Sequence, residues 1–258
     1  MRSLAAYLGP DIRLDQFILP PSQPLICQAG RPTDIPDEEV CAVGYGIGWY
    51  AADDAPAVYV ADRPMITDRN LFNLARSLYG DLWIATMRDS VRPERAFTID
   101  SQPLCDDQLV FAHDGQLVCP SGVQRTIRDF LDPRIESSIA GNSDSELLFA
   151  LLRHLMVDDA DVSFEEVITD LFGLLEDWLT GGQAQLNFVI SDGESLFATR
   201  HAIAAGCPPL YYTVDDEAFP EAQLIASRRL TDSEFWQPVP EHHLLVLSPT
   251  DPPELLAL

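Results

Sequence analysis

The chain has 258 residues, 47 % of them hydrophobic, and carries a formal net charge of −25 without a single lysine. Such a surface repels nucleic acid and anionic membranes, and the missing lysine excludes Schiff-base chemistry and the phosphate-gripping lysine of a P-loop. No apolar run is long enough to span a bilayer, and five scattered cysteines without CxxC spacing argue against a zinc or disulfide framework, so a soluble protein of a reducing cytoplasm is expected.

Met1 to Pro10 opens the chain as a short apolar run, read as a strand that stops at the Gly9-Pro10 turn signal. Pro20 to Pro24 reads as a loop, Leu25 to Ala29 as a brief extended piece, and Arg31 to Glu39 as an exposed polar stretch. Val40 to Ala51 is a glycine-dotted strand, with Val58 to Ala61 as its hairpin partner beyond the Asp53-Asp54-Ala55-Pro56 turn. Glycines inside a strand mark a bulge or a close backbone approach.

Thr67 or Asp68 can cap a helix whose Leu71, Leu74 and Leu78 recur at helical spacing. Strands follow at Leu82 to Arg88 and Leu109 to His113, then a helix over Val123 to Leu131 that ends near Pro133. Ser143 and Glu146 form a capping box before an apolar helix reaching Met156. Ser163 and Glu166 repeat the device before Val167 to Leu179, which Gly181-Gly182 terminates. The last third reads as strands at Leu186–Ser191, Leu196–His201, Leu210–Val214, Leu224–Ala226 and Leu244–Leu247, with a hairpin turn at Asp192-Gly193. No repeat, low-complexity tract or linker divides residues 1–258, which are read as one domain. Strands, then helices, then strands again predict an α+β layered fold.

Three stretches carry chemistry: Gly44-Tyr45-Gly46-Ile47-Gly48-Trp49-Tyr50, Phe111-Ala112-His113-Asp114-Gly115, and Ser143-Asp144-Ser145-Glu146. With the opening run, they resemble the class II glutamine amidotransferase family of N-terminal nucleophile hydrolases, most of all its stand-alone members, which include the amidohydrolase of ergothioneine synthesis. The resemblance spans nearly the whole chain and implies a four-layer αββα sandwich.

Such enzymes need a nucleophile, a base, an oxyanion hole and a clamp for the glutamyl head. The family opens Met-Cys-Arg, its cysteine attacking as a thiolate and its α-amine serving as base; here the matching position is Arg2. A guanidinium stays protonated and cannot attack. Ser3, the nearest hydroxyl, points to the opposite face of a strand from residue 2. Cys41 stands where relatives carry asparagine in Asn-x-Asp-Gly-x-Gly, and Val43 replaces that motif's aspartate.

The family's His-Asn-Gly oxyanion segment reads His113-Asp114-Gly115 here, and an ionised aspartate cannot donate a hydrogen bond. The resemblance makes Arg88, in Thr86-Met87-Arg88-Asp89-Ser90, the grip on a substrate carboxylate, and Asp144 the holder of its α-amino group, although Val91 replaces the usual threonine. Asp144 also suits a helix start for structural reasons alone. Gln102-Pro103 resembles the Gln-Pro found before the oxyanion segment in some relatives.

His154, His201 and His242-His243 have no carboxylate or cysteine at metal-ligand spacing in sequence, so neither metal nor cofactor is expected. The expected function is a degenerate family member without glutaminase chemistry. It would bind an amino-acid or γ-glutamyl-like ligand through Arg88, Asp144, His113 and Gly115, or support a partner enzyme, or form a homo-oligomer. One alternative is an active amidohydrolase with an unrecognised nucleophile; another is a structural subunit with a closed pocket. Because nucleophile and oxyanion asparagine face one carbonyl in relatives, an Arg2–Asp114 salt bridge is expected to fill the former catalytic centre.

Overall fold

The computed structural model describes residues 2–19, 41–90, 101–120, 122–157 and 162–258, and only the backbone at Arg2, at 41–43, at Asp89 and at Ser90. The readings of loop and strand between Pro20 and Val40, and of Val91, lie outside the described residues.

β1 (Arg2–Arg13) is the middle strand of a seven-stranded antiparallel sheet. Alternation along it assigns two different cores. Leu4, Ala6 and Leu8 face a second sheet, whereas Ala5 and Tyr7 pack with Leu14, Phe17 and Leu71 of α1 (Leu14–Ile18) and α2 (Arg69–Ala75). On one side β1 pairs with β4 (Tyr79–Ser90), then β2 (Cys41–Tyr50) and β3 (Pro56–Ala61). On the other side lie β11 (Phe219–Ala226), β10 (Tyr211–Asp216) and the short β12 (Gln237–Pro238).

The opening strand does not stop at Gly9-Pro10. It continues to Arg13 through a register shift between Leu8 and Ile12, so the proline, which has no N–H to offer, falls where the ladder with β4 is interrupted.

The second sheet runs β14 (Glu254–Ala257), β13 (His243–Leu247), β8 (Leu196–Arg200), β7 (Gln183–Ser191), β6 (Val110–Val118) and β5 (Leu104–Cys105), with β9 (Ala202–Ile203) also on β7. Every described pairing in both sheets is antiparallel. Outside it lie α3 (Val123–Phe130), α4 (Pro133–Glu136), α5 (Asp144–Val157) and α6 (Phe164–Trp178). Leu147 to Leu152 of α5 and Leu171 and Leu175 of α6 pack on Phe111, Leu186 and Phe188. Each such buried Leu or Phe contributes ~1.5–3 kcal/mol. The layers are therefore α, β, β, α, as the resemblance implied.

Both expected capping boxes form: Ser143 with Glu146, and Ser163 with Glu166. Asp68, not Thr67, caps α2, because Thr67 is spent in a 3₁₀ turn and Asp68 receives the Asn70 and Leu71 N–H groups. The sequence reading missed β5, β9, β12, β14, α1 and α4, all of five residues or fewer, too short for a periodic signal. Among the described residues no helix is long and apolar enough to cross a membrane.

Candidate functional site

Thr86 and Arg88 continue on β4 the inward face of Leu82 and Ile84. β2 lies beside them with glycine at 44, 46 and 48, and the close approach expected of such glycines is visible. A Cβ on Gly46 would stand 1.9 Å from the Gln102 carbonyl oxygen, and one on Gly48 would stand 2.7 Å from a Val110 methyl. The absent side chains admit the Gln102-Pro103 segment, joined by a cis peptide, against the first sheet. Thr86 Oγ1 fastens it by donating to the Gln102 carbonyl at 2.6 Å.

Gly44, Tyr45, Thr86, Arg88, Ser101 and Gln102 are among the residues lining a cavity of about 10 Å³, room for about one water molecule. Asp144 is not among its lining residues.

From Gln102 a buried polar chain runs outward. The Gln102 side-chain amide donates to the His113 carbonyl at 3.2 Å and to Ser145 Oγ at 2.8 Å, and its oxygen accepts the His113 N–H. His113 places Nε2 2.8 Å from the Gln185 carbonyl and Nδ1 3.0 Å from Ser145 Oγ. A carbonyl only accepts, so Nε2 carries a proton. The one Ser145 hydroxyl proton is shared between His113 Nδ1 and Asp144 Oδ1, the latter 3.3 Å away. Gly115 is fixed by the same contact: a Cβ there would lie 2.0 Å from the Gln185 oxygen and 2.7 Å from His113 Nε2.

Asp144 stands at the first turn of α5, where the Leu117 N–H donates to Oδ2 at 2.9 Å and the Ser145 N–H to Oδ1 at 2.9 Å. The carboxylate thereby ties the end of β6 to the helix. A chain of hydrogen bonds runs from Thr86, two residues before Arg88 on β4, through Gln102 and Ser145 to Asp144. Ser145 was missed in the sequence; its signal was a small polar residue inside an otherwise apolar helix start, and it is fully buried.

Asp114 is half-buried and pairs across β6–β7 with Asn187. Strand alternation puts position 114 on the face of Val110 and Ala112, toward the first sheet, and position 2 on the face of Leu4 and Ala6, toward the second. The Arg2 backbone is the register partner of Arg88. The Arg2 side chain, and with it the expected Arg2–Asp114 pair, lies outside the described residues. Ser3 is buried on the opposite face, and its Oγ has no hydrogen-bond partner among the described residues.

Cys105, Cys119 and Cys207 are free thiols, and burial, joined by nearby carboxylates, pushes all three above the ordinary cysteine value. An attacking thiolate needs the reverse.

Two stacked antiparallel sheets between helix layers, with the first strand central, define the N-terminal nucleophile hydrolase fold. Residues 36–224 match the family model described as glutamine amidotransferases class-II, more than half of the chain, and the protein belongs to that family. It is 24 % identical over 240 residues to the gamma-glutamyl-hercynylcysteine sulfoxide hydrolase of Mycolicibacterium smegmatis, covering 93 % of this chain and 92 % of that one. It is also 24 % identical over 182 residues to the probable glutamine amidotransferase DUG3 of Saccharomyces cerevisiae, covering 61 % of this chain and only 51 % of that relative's length.

Among solved structures, a glutamine aminotransferase class-II domain protein from Silicibacter pomeroyi superposes with TM-score 0.69 at 20 % identity, covering 99 % and 100 % of the two chains. The glutamine phosphoribosylpyrophosphate amidotransferase of Bacillus subtilis superposes with TM-score 0.66 at 14 % identity, covering 99 % of this chain and 49 % of that one. At such identities the structural likeness concerns the fold.

Proposed function

We propose that this chain is a class II glutamine amidotransferase-like protein that does not hydrolyse glutamine and instead binds the carboxylate of an amino-acid or γ-glutamyl compound at Arg88. The observation that carries the reading is arginine at position 2, the strand position in register with Arg88, where the family motif has its nucleophile. A guanidinium neither attacks a carbonyl nor gives up a proton at neutral pH. Asp114, where the motif has asparagine, would repel a developing oxyanion. Loss of one oxyanion donor costs about 3–4 kcal/mol of transition-state stabilisation in other hydrolases. Arg88 keeps the fork geometry suited to a carboxylate. A binding protein of this kind would act by presenting its ligand, or itself, to a partner enzyme.

The test is ammonia release from glutamine and γ-glutamyl peptides, run beside calorimetry with glutamine, glutamate and the same peptides. Binding without ammonia, abolished by Arg88→Met, is expected. Enzyme-like turnover would overturn the reading in favour of an active amidohydrolase. A second reading, a structural subunit with a closed pocket, draws on the one-water cavity and on an Asp144 already engaged by Leu117 and Ser145. Absence of binding at millimolar ligand would select it.

A further inference from the structure

Away from the Arg88 cavity, three separate stretches meet at the end of β8. His201 follows that strand, Cys207 precedes Pro208-Pro209, and Glu241-His242 forms the turn before β13. One side chain, Arg200, holds the second and third in place. Its Nε donates to the Pro208 carbonyl at 2.9 Å, Nη1 to the Val239 carbonyl at 2.8 Å, and Nη2 to Glu241 Oε1 at 3.2 Å.

The turn is built rather than loose. The His242 N–H donates to the Arg200 carbonyl at 2.6 Å, and the Leu258 N–H donates to the His242 carbonyl at 2.9 Å. Between these bonds His242 takes a left-handed backbone, φ 58°, that a non-glycine residue rarely adopts.

The consequence is chemical. A ligand atom from each of Cys207, Glu241 and His242 lies within 4.8 Å of the other two, the one such group of His, Cys, Asp and Glu among the described residues. Beside them sits His201, 6 % exposed, its ring stacked on Phe172 with centroids 4.4 Å apart. His201 Nδ1 is 3.1 Å from His242 Nδ1, so one nitrogen donates and the other accepts. Its Nε2 is buried without a hydrogen-bond partner among the described residues.

We propose that Cys207, Glu241 and His242 are the ligands of a divalent transition-metal site, with zinc the best-fitting ion and His201 a positioning residue that orients the His242 ring. One sulfur, one imidazole nitrogen and one carboxylate oxygen form a donor set for zinc and its neighbours, and not for calcium or magnesium, which take oxygen ligands. Ligand bonds of about 2.0–2.3 Å require the three side chains to draw in by roughly 1 Å. Glu241 is exposed and uses only Oε1 on Arg200, which leaves its second oxygen for the ion. A ring partner on the second imidazole nitrogen is the usual support for a ligating histidine. Cysteine is some 35 residues from its co-ligands in the chain, which is why sequence spacing did not reveal the group.

The probe is cobalt(II), added to the metal-stripped full chain and followed by absorption, then displaced with zinc. The expected result is one equivalent bound, with a thiolate-to-cobalt charge-transfer band that is lost in Cys207→Ser. His242→Asn, which tolerates the left-handed backbone, should weaken binding more than tenfold. His201→Phe should weaken it by about 10–100-fold while the band remains. Zinc should also raise the melting temperature of the wild type and not that of His242→Asn. Absence of the band, a band that survives in Cys207→Ser, or an equal zinc effect on wild type and His242→Asn would overturn the site. If Cys207→Ser does not fold, the His242→Asn comparison decides.

Discussion

Gln102 and His113 face each other as strand neighbours would, but the hydrogen bonds come from the Gln102 side chain. β5 pairs Leu104 with Phe111 and Cys105 with Val110, so the same register carried two residues further sets residue 102 opposite 113. There the side-chain amide replaces the backbone: its oxygen accepts the His113 N–H and its nitrogen donates to the His113 carbonyl. Gln102→Glu keeps the size but removes the side-chain N–H donors to the His113 carbonyl and to Ser145 Oγ. We expect a loss of about 2–3 kcal/mol in urea unfolding. A change below about 1 kcal/mol would show that the clasp does not support the fold.

Gly46 and Gly173 should respond in opposite directions to alanine. At Gly46 the added methyl meets the Gln102 backbone at 1.9 Å, so the cis-proline segment must move, and a loss of at least about 3 kcal/mol is expected. At Gly173, inside α6, nothing lies within 4 Å of the added Cβ, and the helix gains about 0.5–1 kcal/mol. Thermal unfolding of the two variants checks both signs.

Asp68 is buried and joins three elements, accepting the Tyr45 and Tyr59 hydroxyls and the Asn70 and Leu71 N–H groups. Burial alone would raise its pKa, but these hydrogen bonds together hold it below the usual carboxylate value. Asp68→Ala removes a helix cap and strands the buried Tyr45 hydroxyl, for an expected loss of about 2–4 kcal/mol. Because the folded-state value is the lower one, this contribution is full above the unfolded value of about 3.9 and disappears as pH falls through the folded value. The stability gap between wild type and Asp68→Ala should therefore be level near neutrality and close only in acid. A gap that widened below pH ~4 would contradict the assignment.

We propose that Arg2 and Asp114, which stand where the family motif has cysteine and asparagine, are a coupled charge pair. Asp114→Asn alone should destabilise the protein, by about 3–5 kcal/mol if it removes the partner of a buried cation. Arg2→Cys combined with Asp114→Asn should cost less than the two single effects summed. Additive effects in this double-mutant cycle would mean that the two positions are not coupled.

The strand-helix-strand order and both capping boxes were legible in the sequence, because alternation, helical periodicity and cap chemistry act over a few residues. Glycines 44, 46 and 48 announced a close approach but not what approached. Only the packing of the second sheet showed the Gln102 backbone there. Asp144 illustrates the opposite limit: its type fits both an amine holder and a helix start, and only the fold reveals that the Leu117 and Ser145 N–H groups already engage it. Cys207 and His242 were unremarkable apart, since hydrogen bonds from Arg200 to Pro208, Val239 and Glu241 are what bring them together. Local rules settle what each segment becomes; which distant atoms share a site depends on how two sheets stack and which loops one guanidinium can bridge.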